Sequence, residues 1–298
     1  MHVSRPPTPE LRPFVSLVWA SDAAEPASLD AGLDPRPRRE HLLPSGEMHL
    51  VFRLADTPLR IIDPGGGDSV QPVGSAMVAG ARSRFYVREF SGRSASVGAL
   101  LRPGAAAALF GADAAELAER HTLLADLWGR SAQDLHDLLR ESAGADRRLA
   151  IFERALSRRL RRSDAERPAI ASVIDALPGL QDIGAAASMS GLSHRHFIKH
   201  FRSAVGLGPK TYSRILRFRK AVELMRSESR LGLAALASAA GYSDQPHFSR
   251  DFLAFAGTTP TDFLARRTAN DRHVPMNGEG NPSSRGQFSP RPATRSRG

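Results

Sequence analysis

One short pattern occurs twice near the C-terminal end of the chain, and it constrains the fold more than anything else in the sequence. The first copy runs Ala187, Gly191, Leu192, Ser193, then His196, Phe197, Lys199, Phe201, Gly206, Pro209 and Tyr212. The second runs Ala237, Gly241, Tyr242, Ser243, then His247, Phe248, Arg250, Phe252, Gly257, Pro260 and Phe263. The offset is 50 residues at the glycine and serine and 51 from the His-Phe pair onward, so the second copy carries one inserted residue. Self-similarity of this kind means one supersecondary unit used twice.

Each copy reads as helix, tight turn, helix. Ile183, Ala186 and Ala187, and in the second copy Leu233, Leu236 and Ala237, recur at three-to-four-residue spacing and place small apolar groups on one helical face. Gly191 and Gly241 then stand where a left-handed C-cap is needed, a conformation glycine adopts without a Cβ penalty. Ser193 and Ser243 are the expected N-caps of the second helices, over roughly residues 193–205 and 243–255. In these helices Phe197 and Phe201, or Phe248 and Phe252, fall i, i+4 and must face the core. The opposite face carries Arg195, Ile198, Lys199 and Arg202 in one copy and Gln245, Ser249 and Arg250 in the other. A helix, a glycine turn and a second helix with an outward polar and basic face is a helix-turn-helix, the arrangement that lays its second helix in the DNA major groove. Residues 209–226 join the two copies as one helix, with Tyr212, Ile215, Leu216, Phe218, Val222 and Leu224 as its apolar seam.

Two such units on one connecting helix resemble the DNA-binding domain of the AraC/XylS family of bacterial transcription regulators. The resemblance covers residues 168–267 and is densest between Leu236 and Pro260, through Ala237, Gly241, Tyr242, Ser243, Asp244, Gln245, His247, Phe248, Ser249, Arg250, Phe252 and Gly257. It implies a sequence-specific regulator acting on double-stranded promoter DNA with RNA polymerase as a partner. It further implies base reading from Arg195, Ile198 and Lys199 in the first unit and from Gln245, Ser249 and Arg250 in the second. Arginine and lysine suit guanine O6/N7 and glutamine suits adenine, while Ile198, in place of the usual polar residue, either selects thymine through its methyl group or makes the first helix a weaker reader.

Charge is distributed as that assignment requires. Residues 1–150 hold 17 Lys+Arg against 19 Asp+Glu, residues 151–267 hold 19 against 10, and residues 268–298 hold 5 against 2, so the +10 net charge belongs to the repeat and the tail. A basic surface releases condensed counterions on meeting DNA and speeds association. The chain has no cysteine, which excludes disulfides, thiolate metal sites and thiol nucleophiles. No apolar run approaches the ~20 residues that span a bilayer and no signal-peptide core follows Met1, so no membrane role and a cytoplasmic, nucleoid-associated location are expected.

The expected fold is α+β, with a small antiparallel β-barrel or sandwich and added helices before an all-α double helix-turn-helix domain. Short apolar runs at residues 14–19, 48–52, 61–62 and 97–101, broken by Pro/Gly clusters such as residues 64–68, predict strands and turns. From Gly104 the period turns helical over residues 105–110, 114–119, 123–128 and 132–139, with Asp113 and Ser131 as candidate caps. The runs 43–52, 97–104 and 123–129 are similar to a sensor-type, cupin-like domain found fused to AraC-type DNA-binding domains. That resemblance implies a small-molecule effector and a homodimer. The expected division is 1–160 for the sensor-like domain, 161–167 for a polar linker, 168–267 for the DNA-binding domain, and 268–298 for a disordered basic tail.

Catalytic readings carry less. His41, Glu47 and His49 form a sparse cupin-like set, but the His-x-His pair of a cupin metal site is missing. His196 and His200 have zinc-helix spacing, yet Phe197 stands where a catalytic glutamate is required. Residues 65–67 lack the lysine of a phosphate loop. No cofactor, no metal and no enzymatic activity are therefore expected. The alternatives to a specific regulator are a non-specific DNA-compacting or interaction protein, and a metal-dependent cupin-like enzyme with a DNA-binding appendage.

Overall fold

The computed structural model describes residues 2–22, 38–55, 59–63, 70–72, 74–90, 95–160, 173–174, 183–227, 231–265 and 273–275. Two antiparallel sheets build the N-terminal half. One has the order β1 (His2–Arg5), β2 (Val15–Ser21), β9 (Ser96–Leu101), β4 (Met48–Arg53), β7 (Ala76–Ala79), β10 (His121–Leu123). The other has the order β11 (His273–Pro275), β3 (Arg38–Leu42), β8 (Tyr86–Phe90), β5 (Leu59–Ile62), β6 (Val70–Pro72). The sheets form a sandwich and do not close into a barrel. Strand alternation explains the inner face: Met48, Leu50 and Phe52 on β4 lie opposite Leu101, Ala99 and Val97 on β9, and all six are buried.

Helices cover this sandwich: α1 (Ala105–Phe110), α2 (Ala114–Leu117), α3 (Leu124–Trp128), α4 (Arg130–Glu141) and α5 (Ala145–Arg159). The last is absent from the sequence expectation. It buries Leu149, Phe152 and Leu156 along one stripe, with Phe152 edge-on to Phe52 at 5.8 Å. Its buried Glu153 is held by Arg5 at 2.6 Å and by the Thr8 amide at 2.8 Å. The two expected caps act otherwise. Asp113 precedes α2 but makes no capping bond, and its carboxylate accepts a hydrogen bond from Ser203. Ser131 lies inside α4, which starts after Gly129, and its hydroxyl donates to the Trp128 carbonyl at 2.7 Å.

Helices make up the C-terminal half: α6 (Ile183–Ser190), α7 (His194–Val205), α8 (Pro209–Ser227), α9 (Leu233–Ala239), α10 (Gln245–Ala256) and α11 (Pro260–Ala265). The seam of α8 is Tyr212, Ile215, Phe218, Ala221, Val222 and Met225, all buried, while Leu216 and Leu224 are only half-buried at its flanks. The proposed linker and the 65–67 turn lie outside the described residues. The tail departs from the expectation of disorder at His273–Pro275, which pairs antiparallel with β3 from His273↔Leu42 to Pro275↔Glu40. A sheet edge offers unpaired backbone groups that any extended segment can satisfy, whatever its composition.

Both helix-turn-helix units are anchored to the N-terminal half at equivalent atoms. The Gly104 amide donates to the Ala204 carbonyl at 2.8 Å, and the Phe85 amide donates to the Phe255 carbonyl at 3.1 Å. Those carbonyls are 51 residues apart, in the last turns of α7 and α10. The capping glycines that follow, Gly206 (φ +92°) and Gly257 (φ +67°), are also pressed against the N-terminal half. A Cβ would come 2.9 Å from the Ala114 carbonyl oxygen at Gly206 and 2.2 Å from the Phe85 ring at Gly257. His41, stacked on Phe85 at 4.5 Å, bonds through Nδ1 to the Ala256 carbonyl at 3.1 Å. Orphan carbonyls at helix ends need donors, and here the other half of the chain supplies them. The connector is seated as well, since Arg219 donates to the Ser45 carbonyl at 3.1 Å and Gly46 lies beneath Tyr212.

Candidate nucleic-acid interface

The turns of both units form as their glycines predict. Gly191 and Gly241 have φ of +68° and +87°, and neither has a backbone or core atom crowding the Cβ position, so the dihedral angle alone requires glycine. The N-caps differ. Ser193 caps α7, its Oγ accepting from the His196 amide at 3.4 Å. In the second unit the cap is Asp244 and not Ser243: Asp244 Oδ1 accepts from the His247 amide at 2.7 Å, and Ser243 Oγ donates to Asp244 Oδ2 at 2.9 Å. The inserted residue is absorbed there, and the caps are 51 apart like everything downstream. This bonding holds the Asp244 carboxyl below the usual range, the His247 amide being the larger cause and Ser243 the next.

The inward faces of α7 and α10 are apolar and aromatic. Phe197 and Phe201 are fully buried, with Phe201 edge-on to Tyr212 at 5.6 Å. Phe248 and Phe252 are buried equally, with Phe252 meeting Phe218 at 5.2 Å and Phe263 at 5.3 Å. This packing turns the remaining faces outward. Arg195, Lys199 and Arg202 on α7 and Gln245 and Arg250 on α10 are exposed, while Ser249 is half-buried. Ile198 is half-buried and packed against the core, so only part of it faces outward. With the cap register known, the equivalent positions pair His194 with Gln245, Arg195 with Pro246, Ile198 with Ser249, Lys199 with Arg250 and Arg202 with Leu253. Arg195 and Gln245, matched by the sequence reading, are thus one step apart.

A polar network that the sequence reading missed supports α10 from beneath. Asp251 is buried and takes both arms of Arg214 on the connector helix, at 2.6 and 3.3 Å. This bond raises the Arg214 pKa further, and a guanidinium so paired stays charged. Asp251 also lies 3.8 Å from His247 Nε2, and His247 Nδ1 lies 3.2 Å from Ser243 Oγ. Because that hydroxyl gives its hydrogen to Asp244, the imidazole Nδ1 is the donor to Ser243. Tyr242 packs between His247 and Phe248, and its hydroxyl pKa is pushed up by burial first and the Asp251 charge second. The signal for this network was a lone aspartate, Asp251, between Phe248 and Phe252 on the side facing an arginine-rich helix.

The cupin-like set does not assemble. His41 is occupied by Ala256 and Phe85, Glu47 lies 3.8 Å from Arg219, and His49 stands edge-on to Trp19 at 6.3 Å. Among the described residues no group of three or more His, Cys, Asp or Glu could hold a metal ion. No helix of the described residues is long and apolar enough to cross a membrane.

Residues 186–266 match the family model described as a helix-turn-helix domain, over both units and the connector. The C-terminal part of the chain is a helix-turn-helix domain. Residues 3–123 match a domain of unknown function, DUF6597. Comparison with curated protein sequences returns no significant match. Among solved structures, the chain is similar to ToxT from Vibrio cholerae at 11% identity and a TM-score of 0.41, covering 77% of this chain and 96% of that one. It is similar to the DNA-binding domain of the global transcriptional factor AdpA, solved in complex with a target DNA, at 23% identity and a TM-score of 0.30, over 35% of this chain and 92% of that one. The C-terminal domain of the response regulator AraT from Geobacillus stearothermophilus gives 21% identity and a TM-score of 0.31, over 36% and 89%. The matched domain is of a kind built to place its second helix in the DNA major groove.

Proposed function

We propose that the protein is a sequence-specific regulator whose helices α7 and α10 enter successive major-groove segments on one side of promoter DNA, about one turn or ~34 Å apart. The observation that carries this is the equivalence of the two helices: each buries a Phe pair on one side and turns a basic position, Lys199 or Arg250, outward at the same helical step. Arg195, Lys199 and Arg250 read guanine, Gln245 reads adenine, Ser249 reads either, and Arg202 contacts phosphate. The N-terminal half modulates this binding, because it grips the last turn of both reading helices and so governs their separation. A small-molecule effector acts by preferring one arrangement of the grip over another. RNA polymerase and a second copy of the chain are the protein partners this reading brings in.

Selection of duplexes from a random pool with the full-length protein, followed by affinity measurement at fixed salt, tests the reading. A regulator prefers its selected site by ~10³-fold or more over random DNA. Equal affinity for all sequences would overturn it in favour of the non-specific compacting protein. Modulation has its own check: Phe85→Ala, which loosens one grip, changes affinity for the selected site, and an unchanged affinity removes the N-terminal half from the mechanism.

A further inference from the structure

Leu253 is the most unexpected residue on the reading surface. It is 51% exposed, one of four large apolar side chains so exposed among the described residues, and it stands where the first unit has Arg202. At about 100° per residue, with Gln245 as zero, Ser249 falls near 40°, Leu253 near 80° and Arg250 near 140° on the helical wheel. Leu253 is therefore at the middle of the face whose edges are Gln245 and Arg250. It lies about 12 Å along the axis from Gln245, within the length a groove-bound helix presents.

We propose that Leu253 is a specificity-determining residue that reads the C5-methyl group of a thymine in the segment bound by α10. This rests on the proposed reading of α10 as a recognition helix. The thymine methyl is the apolar group on the major-groove edge, and a leucine facing that edge has no hydrogen bond to offer any other base. A methyl seated against it sheds water from both, whereas a cytosine N4 or a guanine O6 in the same place loses hydrogen-bonding water without replacement. A protein partner fits less well, because one leucine between Ser249 and Arg250 supplies a small part of the area a stable protein interface buries. The two units then differ in kind at this step: Arg202 contributes charge to the first segment, and Leu253 contributes base selection to the second.

The test uses the full-length protein and the duplex it selects. Each thymine of the α10 segment is replaced in turn by deoxyuridine, which removes the methyl and leaves the pairing intact. At one position the wild-type protein should lose affinity by about 3- to 5-fold, the value of one buried methyl-sized contact. The Leu253→Ala protein should bind the unmodified site correspondingly more weakly and show less than about a 2-fold response to the same deoxyuridine. If every deoxyuridine effect survives in Leu253→Ala, or if Leu253→Ala weakens random DNA as much as the selected site, the assignment is overturned while the regulator reading stands. If Leu253→Ala leaves all DNA binding intact and lowers only transcription, Leu253 belongs to a protein contact and the assignment also fails. A pool that yields no preferred duplex removes the regulator reading and Leu253's role together.

Discussion

The two helix-turn-helix units share a core and differ in how that core is fastened and presented. Their Phe pairs, turn glycines, capping glycines and trailing prolines correspond, and both last turns bond to the N-terminal half through carbonyls 51 residues apart. The first unit, however, is capped by a serine at 3.4 Å and lines its outward face with Arg195, Lys199 and Arg202. The second is capped by an aspartate at 2.7 Å, braced by the Asp251–Arg214 pair, and mixes Gln245, Ser249, Arg250 and Leu253 on its face. A duplicated fold thus presents one charge-rich outward face and one that is braced from beneath and chemically varied. The expectation is that the second unit contributes more of the discrimination and the first more of the salt-dependent affinity.

The largest effects should show the units as equals. Phe201→Ala and Phe252→Ala each remove a fully buried ring at the same step, and each should cost about 3 to 5 kcal/mol of stability by denaturant unfolding. Costs that differ by more than about 2 kcal/mol would mean that the common core is not equally packed, and the comparison would have to begin there.

The next effect should appear in the second unit alone. Asp251→Ala strands Arg214, whose side chain is 37% exposed and can still reach water, so the loss should be about 1 to 3 kcal/mol, below that for a fully enclosed pair. A loss below about 1 kcal/mol by denaturant unfolding would show that the brace does not distinguish the second unit.

At the DNA the units should separate more clearly. Arg250→Ala should cost about 1 to 3 kcal/mol at the selected site and relax one base position. Arg202→Ala in the first unit should weaken selected and random duplexes more evenly, and lower the slope of log affinity against log salt by about one. The reverse pattern in a salt titration would invert the assignment of roles.

What the sequence made legible follows from where the information lies. The repeat was readable because glycine, phenylalanine and proline are each constrained by local geometry, so their recurrence survives in the residue code. The cap was misplaced by one residue, since Ser243 and Asp244 are both capable caps; the change of offset from 50 to 51 was the available signal that the cap had moved with its helix. Strands β3 and β8 escaped notice because their faces are charged, with Arg88–Glu40 at 2.7 Å and Arg39–Glu89 at 2.8 Å joining them across the sheet. The backbone part of the grip on the last turns left no trace, because Gly104 and Phe85 donate there through amides that any residue but proline carries, and the Phe85 ring that packs on Gly257 adds to it without any local pattern. Leu253 was passed over because an apolar residue in a helix is ordinarily assigned to the core, and only the register of α10 turns it outward.

The smallest effect concerns the caps, and it is the finest test of whether the inserted residue changed the second unit's physics. Ser193→Ala should cost about 0.5 kcal/mol, the low end for a cap, because its bond is long. Asp244 adds a negative charge at the positive end of the α10 dipole and a shorter bond. Its folded pKa lies below its unfolded one, so its stabilisation is complete above the unfolded value and is lost as pH falls through the folded value. Thermal unfolding of the full chain should therefore show a gap between wild type and Asp244→Asn at neutral pH that closes below about pH 4, since asparagine keeps the cap and cannot titrate. The Ser193→Ala gap should stay constant over the same range, having no proton to gain. If the Asp244→Asn gap were equally flat, the charge at the second cap would contribute nothing, and the insertion would have moved the cap without strengthening it.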